Sequence, residues 1–396
     1  MKKGWQNISF GELGRVFNGN SISEAEKKAH FEGVEDGVPY IGTKDVSFEH
    51  EVAYESGVKI PDDKRDGFKL APANTVLVCA EGGSAGRKIA HTDREIYFGN
   101  KLFAVCPSPP ISSRLIFYYC LSGDFTKQFK GSMAGLIGGV SINKFKELSV
   151  PVPPLAEQQR IVGLLDEAFE GLATAKANTE KNLQNARALF ESHLQSVFTQ
   201  RGPGWVEKRF DEVCAITSTL VDPRKKEFLD LTHVGAGNIE SKTGVFVDLK
   251  TAREEGLISG KFLFDDSMVL YSKIRPYLMK VARPDFEGLC SADMYPLSPI
   301  QNVITRDYLF HLLLSKHFTD YAIQGSARAG MPKVNRDHVF EFRVFLPDVK
   351  KQKQLAANLD DLHEETQRLA RLYEQKHAAL EALKKSLLHQ AFTGAL

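Results

Sequence analysis

Long apolar runs are missing from this chain of 396 residues, and so is any marked excess of charge. No stretch of about 18 apolar residues occurs, which excludes a membrane span. The two lysines near the start precede no apolar segment, so no signal peptide is expected. The five cysteines are scattered, which argues against a zinc or redox site and favours reduced core thiols in a cytoplasmic protein. A net charge of +1 leaves nucleic acid open as a partner, because a basic face can coexist with an acidic remainder.

Complete sequence patterns for catalysis are missing as well. The stretch 82–88 resembles a phosphate-binding loop, but Arg87 separates its glycine from Lys88, and no Ser or Thr follows that lysine. The stretch 235–237 begins a dinucleotide pattern, but Glu240 stands where the third glycine belongs. There is no methyltransferase stretch of the Asn-Pro-Pro-Tyr type, no nuclease cluster and no metal-binding histidine pair. The sequence therefore shows no catalytic site and predicts no cofactor of its own.

The most informative feature present is an internal repeat. Trp5 and Phe10 recur as Trp205 and Phe210, at an offset of 200. Further along, matching residues keep a constant offset of 194, and they include Gly131 and Gly325, Pro153 and Pro347, Gln158 and Gln352, Asp166 and Asp360, and Phe198 and Phe392. A constant offset means that no insertion separates the copies there. The chain therefore consists of two units of one design, each with a variable front and a back of fixed length.

Each back predicts one long helix. Residues of a predicted seam recur at steps of three and four in both copies, and most of them are apolar. They are Ile161, Leu165, Ala168, Leu172, Ala175, Ala186, Leu189 and Val197 in the first, with Thr179 and Asn182 as weaker members, and Leu355, Leu359, Leu362, Thr366, Leu369, Tyr373, Leu380, Leu383 and Leu387 in the second. This is the heptad spacing of a two-helix coiled coil. Just over forty residues correspond to about 60–65 Å of helix. Prolines mark both helix starts, and Asp348 is placed to cap the second helix.

The fronts predict a mixed α/β structure. Strands are expected at 76–78, 102–105, 268–271 and 342–345, and helices at 113–129 and 306–321. The blocks after residues 75 and 268 look like counterparts, each running from a strand through a polar turn to Lys88 or Lys280. Because Phe392 matches Phe198, which leads into the second copy, we expect the C-terminus to lie near Met1.

Basic residues cluster in loops of both fronts. Lys273, Arg275, Lys280 and Arg283, with Tyr277 among them, occupy eleven positions without an acid. Arginine and asparagine can make bidentate contacts with guanine and adenine, whereas lysine and serine mostly contact phosphates. A plain solvated surface is the alternative for each residue. The predicted DNA-binding residues are Lys44, Gly83, Ser84, Arg87, Lys88, Ser132, Ser141, Asn143, Lys144, Arg224, Lys273, Arg275, Tyr277, Lys280, Ser326, Arg328, Lys333, Asn335 and Arg336.

The stretch 151–161, Pro-Val-Pro-Pro-Leu-Ala-Glu-Gln-Gln-Arg-Ile, resembles a signature of type I restriction–modification specificity subunits. In that family it joins a target-recognition domain to a conserved helix. The resemblance covers the whole chain and includes the Gly131-Ser132 loop and the Phe198-Thr199 helix end. The second copy departs from the signature, with Pro-Asp-Val-Lys-Lys-Gln at 347–352.

The resemblance implies an α/β fold with two pseudo-symmetric target-recognition domains, at 1–154 and 201–348. They would be joined by two long antiparallel coiled-coil helices, at 155–200 and 349–396, that set the spacing of a split double-stranded DNA target. Methyltransferase subunits, binding S-adenosylmethionine, would dock on residues that include Gln158, Gln159, Arg160 and Gln352. Restriction and motor subunits would bind ATP and Mg²⁺.

Two other functions stay open from the residues alone. One is a recognition module of another restriction or modification system, and the other is a coiled-coil scaffold that binds only protein. Charged helix residues such as Glu157, Glu167, Lys176 and Glu180 fit either partner contacts or a face in water.

Overall fold

A computed structural model describes residues 4–134, 138–326 and 332–396. The chain forms two compact units: unit 1 comprises residues 1–179 and 375–396, and unit 2 comprises residues 180–374. Each unit therefore contains one front and about half of each long helix. Within the described residues, no helix combines the length and apolar character needed to cross a membrane.

Unit 1 begins with ten strands and five short helices. The strands are β1 (Gln6–Ser9), β2 (Gly14–Asn18), β3 (Val38–Ile41), β4 (Lys59–Ile60), β5 (Leu70–Ala71), β6 (Val76–Cys79), β7 (Ile89–His91), β8 (Ile96–Phe98), β9 (Leu102–Pro107) and β10 (Ser149–Val152). The helices are α1 (Phe10–Leu13), α2 (Glu24–His30), α3 (Ser113–Cys120), α4 (Gly123–Gly131) and α5 (Ile142–Glu147), and the long helix α6 (Leu155–Thr199) follows. One sheet has the order β2-β9-β6-β7, the second has β4-β3-β8-β5, and β1 pairs with β10.

Unit 2 repeats this plan with eleven strands. They are β11 (Val206–Arg209), β12 (Cys214–Ala215), β13 (Leu220–Val221), β14 (Thr232–Val234), β15 (Lys250–Thr251), β16 (Lys261–Phe264), β17 (Val269–Ser272), β18 (Val281–Ala282), β19 (Gly288–Cys290), β20 (Met294–Pro299) and β21 (Arg343–Leu346). The helices are α7 (Arg306–Leu314), α8 (Lys316–Gln324), α9 (Arg336–Phe340) and the long α10 (Val349–Thr393). The sheets have the orders β12-β20-β17-β18, β13-β16-β19-β14-β15 and β11-β21. The predicted α/β class is confirmed.

The central strand of each front separates two cores. In β6, Val76 and Val78 belong to one buried cluster, while Leu77 and Cys79 belong to another. Alternate residues of a strand point to opposite faces of the sheet, so a continuous apolar run signals a strand that is covered on both sides. In β17, Val269 and Leu270 divide between two clusters in the same way.

The helices predicted at 113–129 and 306–321 are each two helices. Ser122 begins α4, with its Oγ accepting a hydrogen bond from Phe125 N, and Ser315 begins α8 by accepting from Phe318 N. A serine that caps a new helix offers the backbone an alternative to continuing the old one. The break falls at equivalent places in the two units, so the prediction was wrong in the same way twice.

The long helices run antiparallel within each unit. In unit 1, Lys176 pairs with Glu381 at 3.1 Å, while Arg160, earlier on α6, donates to the carbonyl of Leu396. In unit 2, Arg187 pairs with Glu374 at 2.8 Å, and Phe190 lies against His363 of α10. Rising numbers on α6 therefore meet falling numbers on α10, as expected.

The predicted heptad seam is wrong at Leu189 and at the weaker position Asn182 in α6, and at Leu383 in α10. Leu189 is 53% exposed and Leu383 is 47% exposed, whereas Phe190, one residue after Leu189, is buried. Buried positions recur after 29 residues, as in Ile161 and Phe190 or Leu359 and Leu388. A heptad repeat assumes 3.5 residues per turn, and an α-helix with 3.6 drifts by about 20° per heptad. Over four heptads that drift moves the buried stripe by almost one residue.

The two ends of the chain share one core in unit 1. Trp5 and Leu396 both pack against the cluster that contains Phe392 and Ile161. Met1 itself lies outside the described residues. The position of Trp5 beside Leu396 agrees with the prediction that the two ends of the chain are close. The expected free cysteines are present too, and four of the five are buried.

Candidate nucleic-acid interface

A loop in unit 1 brings the two predicted DNA-binding groups of that unit together. The loop 81–88 follows β6, and the amide of Gly82 donates to Gly138 O at 2.9 Å. Val140 N donates back to Ala80 O at 3.0 Å, which closes a short bridge between the loop and the segment before α5. The glycine-rich loop and the region that carries Ser141, Asn143 and Lys144 therefore lie side by side.

Unit 2 builds the same arrangement at the equivalent place. The loop 274–280 follows β17, and Arg275 N donates to Pro332 O at 2.8 Å. Val334 N donates to Lys273 O at 2.9 Å. Backbone hydrogen bonds of this kind do not depend on the side chains, so two different sequences form the same backbone bridge, although the loop of unit 2 is one residue shorter.

In each loop, an equivalent lysine donates a hydrogen bond to a backbone carbonyl of a neighbouring turn. Lys88 Nζ donates to the carbonyl of Thr43 at 2.9 Å, and Lys280 Nζ donates to the carbonyl of Ala236 at 2.5 Å. Both carbonyls belong to a short turn that follows the inner strand of the second sheet. The turn is closed in unit 1 by Asp45 and in unit 2 by Asn238, whose side chains accept from the amide three residues earlier. The predicted counterpart relation of these blocks is confirmed.

The loops differ in which residues adopt the left-handed conformation. In unit 1 these are glycines, Gly82 at φ 78° and Gly86 at φ 65°. In unit 2 the left-handed loop residues are Arg275 at φ 48°, at the position of Gly82, and Met279 at φ 49°. A residue with a Cβ pays about 1–2 kcal/mol for this conformation, and glycine does not. Unit 2 therefore holds backbone strain at two positions where unit 1 has none.

Unit 1 exposes an aromatic ring beside its basic loop residues. The Phe48 side chain is 48% exposed. The Arg87 guanidinium lies 4.9 Å from its ring centroid and Lys88 Nζ lies 5.2 Å from it. Lys44 is exposed in the neighbouring turn, and a Cβ on Gly83 would meet nothing within 4 Å. Phe48 was not among the predicted residues, although an aromatic residue between polar neighbours was a signal for it.

Unit 2 exposes Arg275 and Tyr277, the latter at 50%. Lys333 forms an ion pair with Asp293 at 2.9 Å. Lys273 is more enclosed, with its side chain 14% exposed and its Nζ donating to the carbonyl of Ala292. Burial lowers the pKa of Lys273, and the positive charge of Lys333 lowers it further.

Several predicted DNA-binding residues have partners inside their own unit. Ser326 is 3% exposed and donates to Ile323 O, so it is a structural residue and not a contact residue. Ser141 and Asn335, at equivalent positions, cap α5 and α9. Arg224 is held by both carboxylate oxygens of Asp222. Arg328 lies outside the described residues.

The remaining predicted residues lie at the surface or close to it. Arg283, which belongs to the basic run 273–283, forms ion pairs with Asp307 and Asp360 inside the protein. Asn143, Lys144 and Arg336 are exposed, and Ser84 and Ser132 are partly exposed.

The glutamines that were predicted to bind partners are buried in the structure. Gln158 is 2% exposed; its Oε1 accepts from Ser112 N, and its Nε2 donates to Pro153 O. Gln352 is fully buried and accepts from Thr305 N in the same way, while its Nε2 donates to Val303 O and Pro347 O. Ser112 and Thr305 are the caps of α3 and α7. Each glutamine therefore joins a long helix to its own front and is not free to contact a partner as predicted. Gln159 and Arg160, the other two predicted residues, are exposed.

A repeated acid on each long helix also binds the adjoining front. Asp166 accepts from Arg114 at 2.8 Å and from the Tyr118 hydroxyl. Asp360 accepts from Arg283 at 2.7 Å and from His311 Nε2 at 2.8 Å. These two acids match by register in the sequence, but no function was predicted for them. Their spacing from the glutamines, two helical turns, could have suggested one shared face.

Together, these features define the class: a protein of two α/β recognition units, each with a basic loop on a rigid scaffold, connected by long helices. Comparison with known proteins identifies the family. The model for the type I restriction modification DNA specificity domain matches residues 2–184 and 203–376, and the chain belongs to this family. It is a type I specificity subunit, the component concerned with DNA target recognition.

Individual relatives agree. The EcoDI specificity subunit of Escherichia coli is 28% identical over 312 residues, which cover 70% of this chain and 69% of that subunit. The MjaVIII specificity subunit of Methanocaldococcus jannaschii is 21% identical over 370 residues, covering 81% of this chain and 79% of that subunit.

Solved structures share the fold. A chain from a study of complex assembly and conformational transition in the type I R–M system has a TM-score of 0.76 at 16% identity, over 100% of this chain and 99% of that one. The HsdS subunit from Thermoanaerobacter tengcongensis has a TM-score of 0.62 at 18% identity, over 100% and 98%.

Proposed function

We propose that each unit recognises one half of a bipartite DNA target through its bridged loop, and that the paired long helices set the number of base pairs between the halves. The observation that carries this proposal is the occurrence of the same backbone bridge at the loop of each unit, with different side chains on the two loops. Two loops that are held in the same way but differ in chemistry suit two half-sites of unequal sequence.

The helices are suited to a spacer because both contain 45 residues. Half-site spacing follows from protein dimensions when the elements between two DNA-binding parts are rigid. The glutamine and aspartate contacts described above attach each front to a long helix over more than two helical turns. A change in helix length would thus change the target spacing without changing the bases that are recognised.

The same helices offer surface for partner subunits. Leu164, Leu189, Leu372 and Leu383 are each more than 40% exposed on α6 or α10. These leucines offer apolar area that a partner protein could cover. We propose that methyltransferase subunits dock there and on the exposed Gln159 and Arg160, and that restriction subunits join them. S-adenosylmethionine, ATP and Mg²⁺ would bind to those partners, and this chain would contribute specificity without catalysis.

Lengthening both helices together tests the spacer. We would insert two heptads after Thr179 in α6 and after Glu374 in α10, express the chain with its methyltransferase subunits, and map methylated adenines across the genome. Fourteen helical residues add about 21 Å, so the spacer should lengthen by at most about 6 base pairs, since DNA rises about 3.4 Å per pair.

A matched control places the insertion in α6 alone. That change offsets the antiparallel pairing on one side and should abolish methylation. Altered bases in either half-site after the double insertion would contradict the proposal, and so would an unchanged spacer.

A further inference from the structure

Arg275 occupies a position where unit 1 has a glycine. The backbone conformation at this position is left-handed in both units, at φ 78° for Gly82 and φ 48° for Arg275. Both amides also donate to equivalent carbonyls, Gly138 O and Pro332 O. The loop therefore requires this conformation in either unit, and glycine is the residue that meets the requirement without strain.

Space does not explain the choice of residue. A Cβ built on Gly82 meets no atom within 4 Å, so the position is open to solvent and could hold many side chains. Only the backbone conformation favours glycine. An arginine kept in a strained conformation at an open position points to a function of the side chain, because strain persists where structure enforces it and function uses it.

The Arg275 side chain has no partner among the described residues. Three exposed arginines of unit 2 are paired, Arg224 with Asp222, Arg253 with Asp230 and Arg343 with Glu207. Arg275 is exposed, and no carboxylate of the described chain neutralises it. A guanidinium that the described residues leave unpaired is available to an external acceptor.

The loop also holds Arg275 rigidly. Its amide donates to Pro332 O, its carbonyl accepts from Leu278 N at 2.9 Å, and the next residue, Pro276, is buried. A fixed backbone on both sides reduces the freedom that a side chain loses on binding and so favours a specific contact over a loose one.

We propose that Arg275 recognises a guanine in the half-site bound by unit 2, with its two forked N–H groups donating to O6 and N7 in the major groove. This inference rests on the proposed function and adds to it a base and a residue. Arginine is the side chain whose planar fork matches these two acceptors, whereas lysine provides a single charge. Unit 1 presents Gly82 at the same place and lacks this contact in its own half-site.

The test compares Arg275→Gly, Arg275→Lys and a control, Asn302→Gly, in the full chain with its methyltransferase subunits. Asn302 is exposed in unit 2 and has φ 62°, so its replacement changes the same kind of backbone position without changing charge. Methylated adenines are mapped for each variant. Binding is measured on duplexes that differ from the mapped target at one base pair.

We expect Arg275→Gly to relax one G·C pair in the half-site of unit 2 to any pair, with about 10- to 100-fold less discrimination there and all other positions retained. Arg275→Lys should fall between this variant and the wild type. Because the strain is relieved, Arg275→Gly should also raise the Tm by about 2–4 °C. Asn302→Gly should leave the target unchanged.

Three results would overturn the inference. They are an unchanged target in Arg275→Gly, a uniform loss of affinity for all sequences, which indicates a phosphate contact, and a lower Tm in the glycine variant. A wild-type target that is continuous and not split would contradict the proposed function. Relaxation of a single G·C pair by Arg275→Gly would support the arginine contact even in that case.

Discussion

The two units hold their loops with equivalent contacts but carry different side chains on them. Backbone hydrogen bonds at the loop, the lysine beneath it and the glutamine at the start of the long helix are equivalent in both. The loop side chains differ, with glycines in unit 1 and Arg275, Tyr277 and Met279 in unit 2. The comparison teaches that the scaffold is repeated, while the surface that would meet DNA is free to vary.

The units also differ in how deeply their repeated contacts are buried. Asp166 meets Arg114, and the two side chains are 43% and 41% exposed. Asp360 meets Arg283, which is 25% exposed, and His311, which is fully buried. Equivalent contacts should therefore matter more in unit 2, and mutations at paired positions can confirm or refute that difference.

The largest effect is expected at Asp360. Asp360→Ala leaves His311 and Arg283 without their shared acceptor and should lower the free energy of unfolding by about 2–3 kcal/mol. Asp166→Ala should cost less, about 1–2 kcal/mol, because its ion pair with Arg114 is exposed to water and only the buried Tyr118 hydroxyl loses an acceptor. Urea denaturation of both variants measures the difference, and Asp361→Ala, at an exposed neighbour, is the control. Equal losses at the two aspartates would contradict the comparison.

The pH dependence of stability tests the same contact of Asp360. Burial by itself raises the pKa of Asp360, but hydrogen bonds from His311 and Arg283 outweigh burial and hold the pKa well below its usual range. An unfolded aspartate has a pKa of about 3.9. The stability that the ionised Asp360 contributes is therefore complete above about pH 4 and is lost as the pH falls toward the pKa of Asp360 in the folded protein. Tm measured between pH 2 and pH 5 should fall less steeply in Asp360→Asn than in the wild type.

The glutamines should show a smaller difference in the same direction. Gln352→Ala removes hydrogen bonds to three buried backbone groups and should cost about 2 kcal/mol, whereas Gln158→Ala removes two and should cost about 1 kcal/mol. Gln159→Ala, at an exposed site, should cost nothing measurable. Thermal unfolding ranks the three variants, and an equal or reversed order for Gln158 and Gln352 would count against the role assigned to them.

The last comparison, with effects similar in size to those at the glutamines, concerns the repeated glycines. A Cβ on Gly325 would lie 2.0 Å from the His338 ring, while a Cβ on Gly131 would meet nothing within 4 Å. His338 cannot easily move, because it stacks on Tyr321 at 4.2 Å and bonds to its carbonyl. Gly325→Ala should cost about 1–2 kcal/mol, and Gly131→Ala should gain about 0.5 kcal/mol. Denaturation midpoints of the pair measure this, and equal values would show that His338 yields.

Much of the fold could be predicted because repetition and apolar patterning are properties of the chain itself. The constant offset predicted the equivalence of Gln158 with Gln352, and the apolar runs predicted β6 and β17. The helix breaks at Ser122 and Ser315 were missed, because a serine inside an apolar stretch caps a new helix only when its neighbours are packed to allow it.

The candidate site was predicted less completely, because residue type does not reveal where a side chain points. Lys273, Lys280 and Arg283 form part of a basic run in sequence, but their side chains turn inward to carbonyls or carboxylates of unit 2. Arg275, in the same run, is left exposed.

The sequence by itself determined the repeat, the α/β class, the two long helices and the family, since each depends on residue order and periodicity. The tertiary structure decided which member of each equivalent pair is buried and which glycine has room for a side chain. It also decided that Arg275 adopts the conformation of a glycine. These outcomes depend on contacts between residues far apart in the chain, and no local pattern records such contacts.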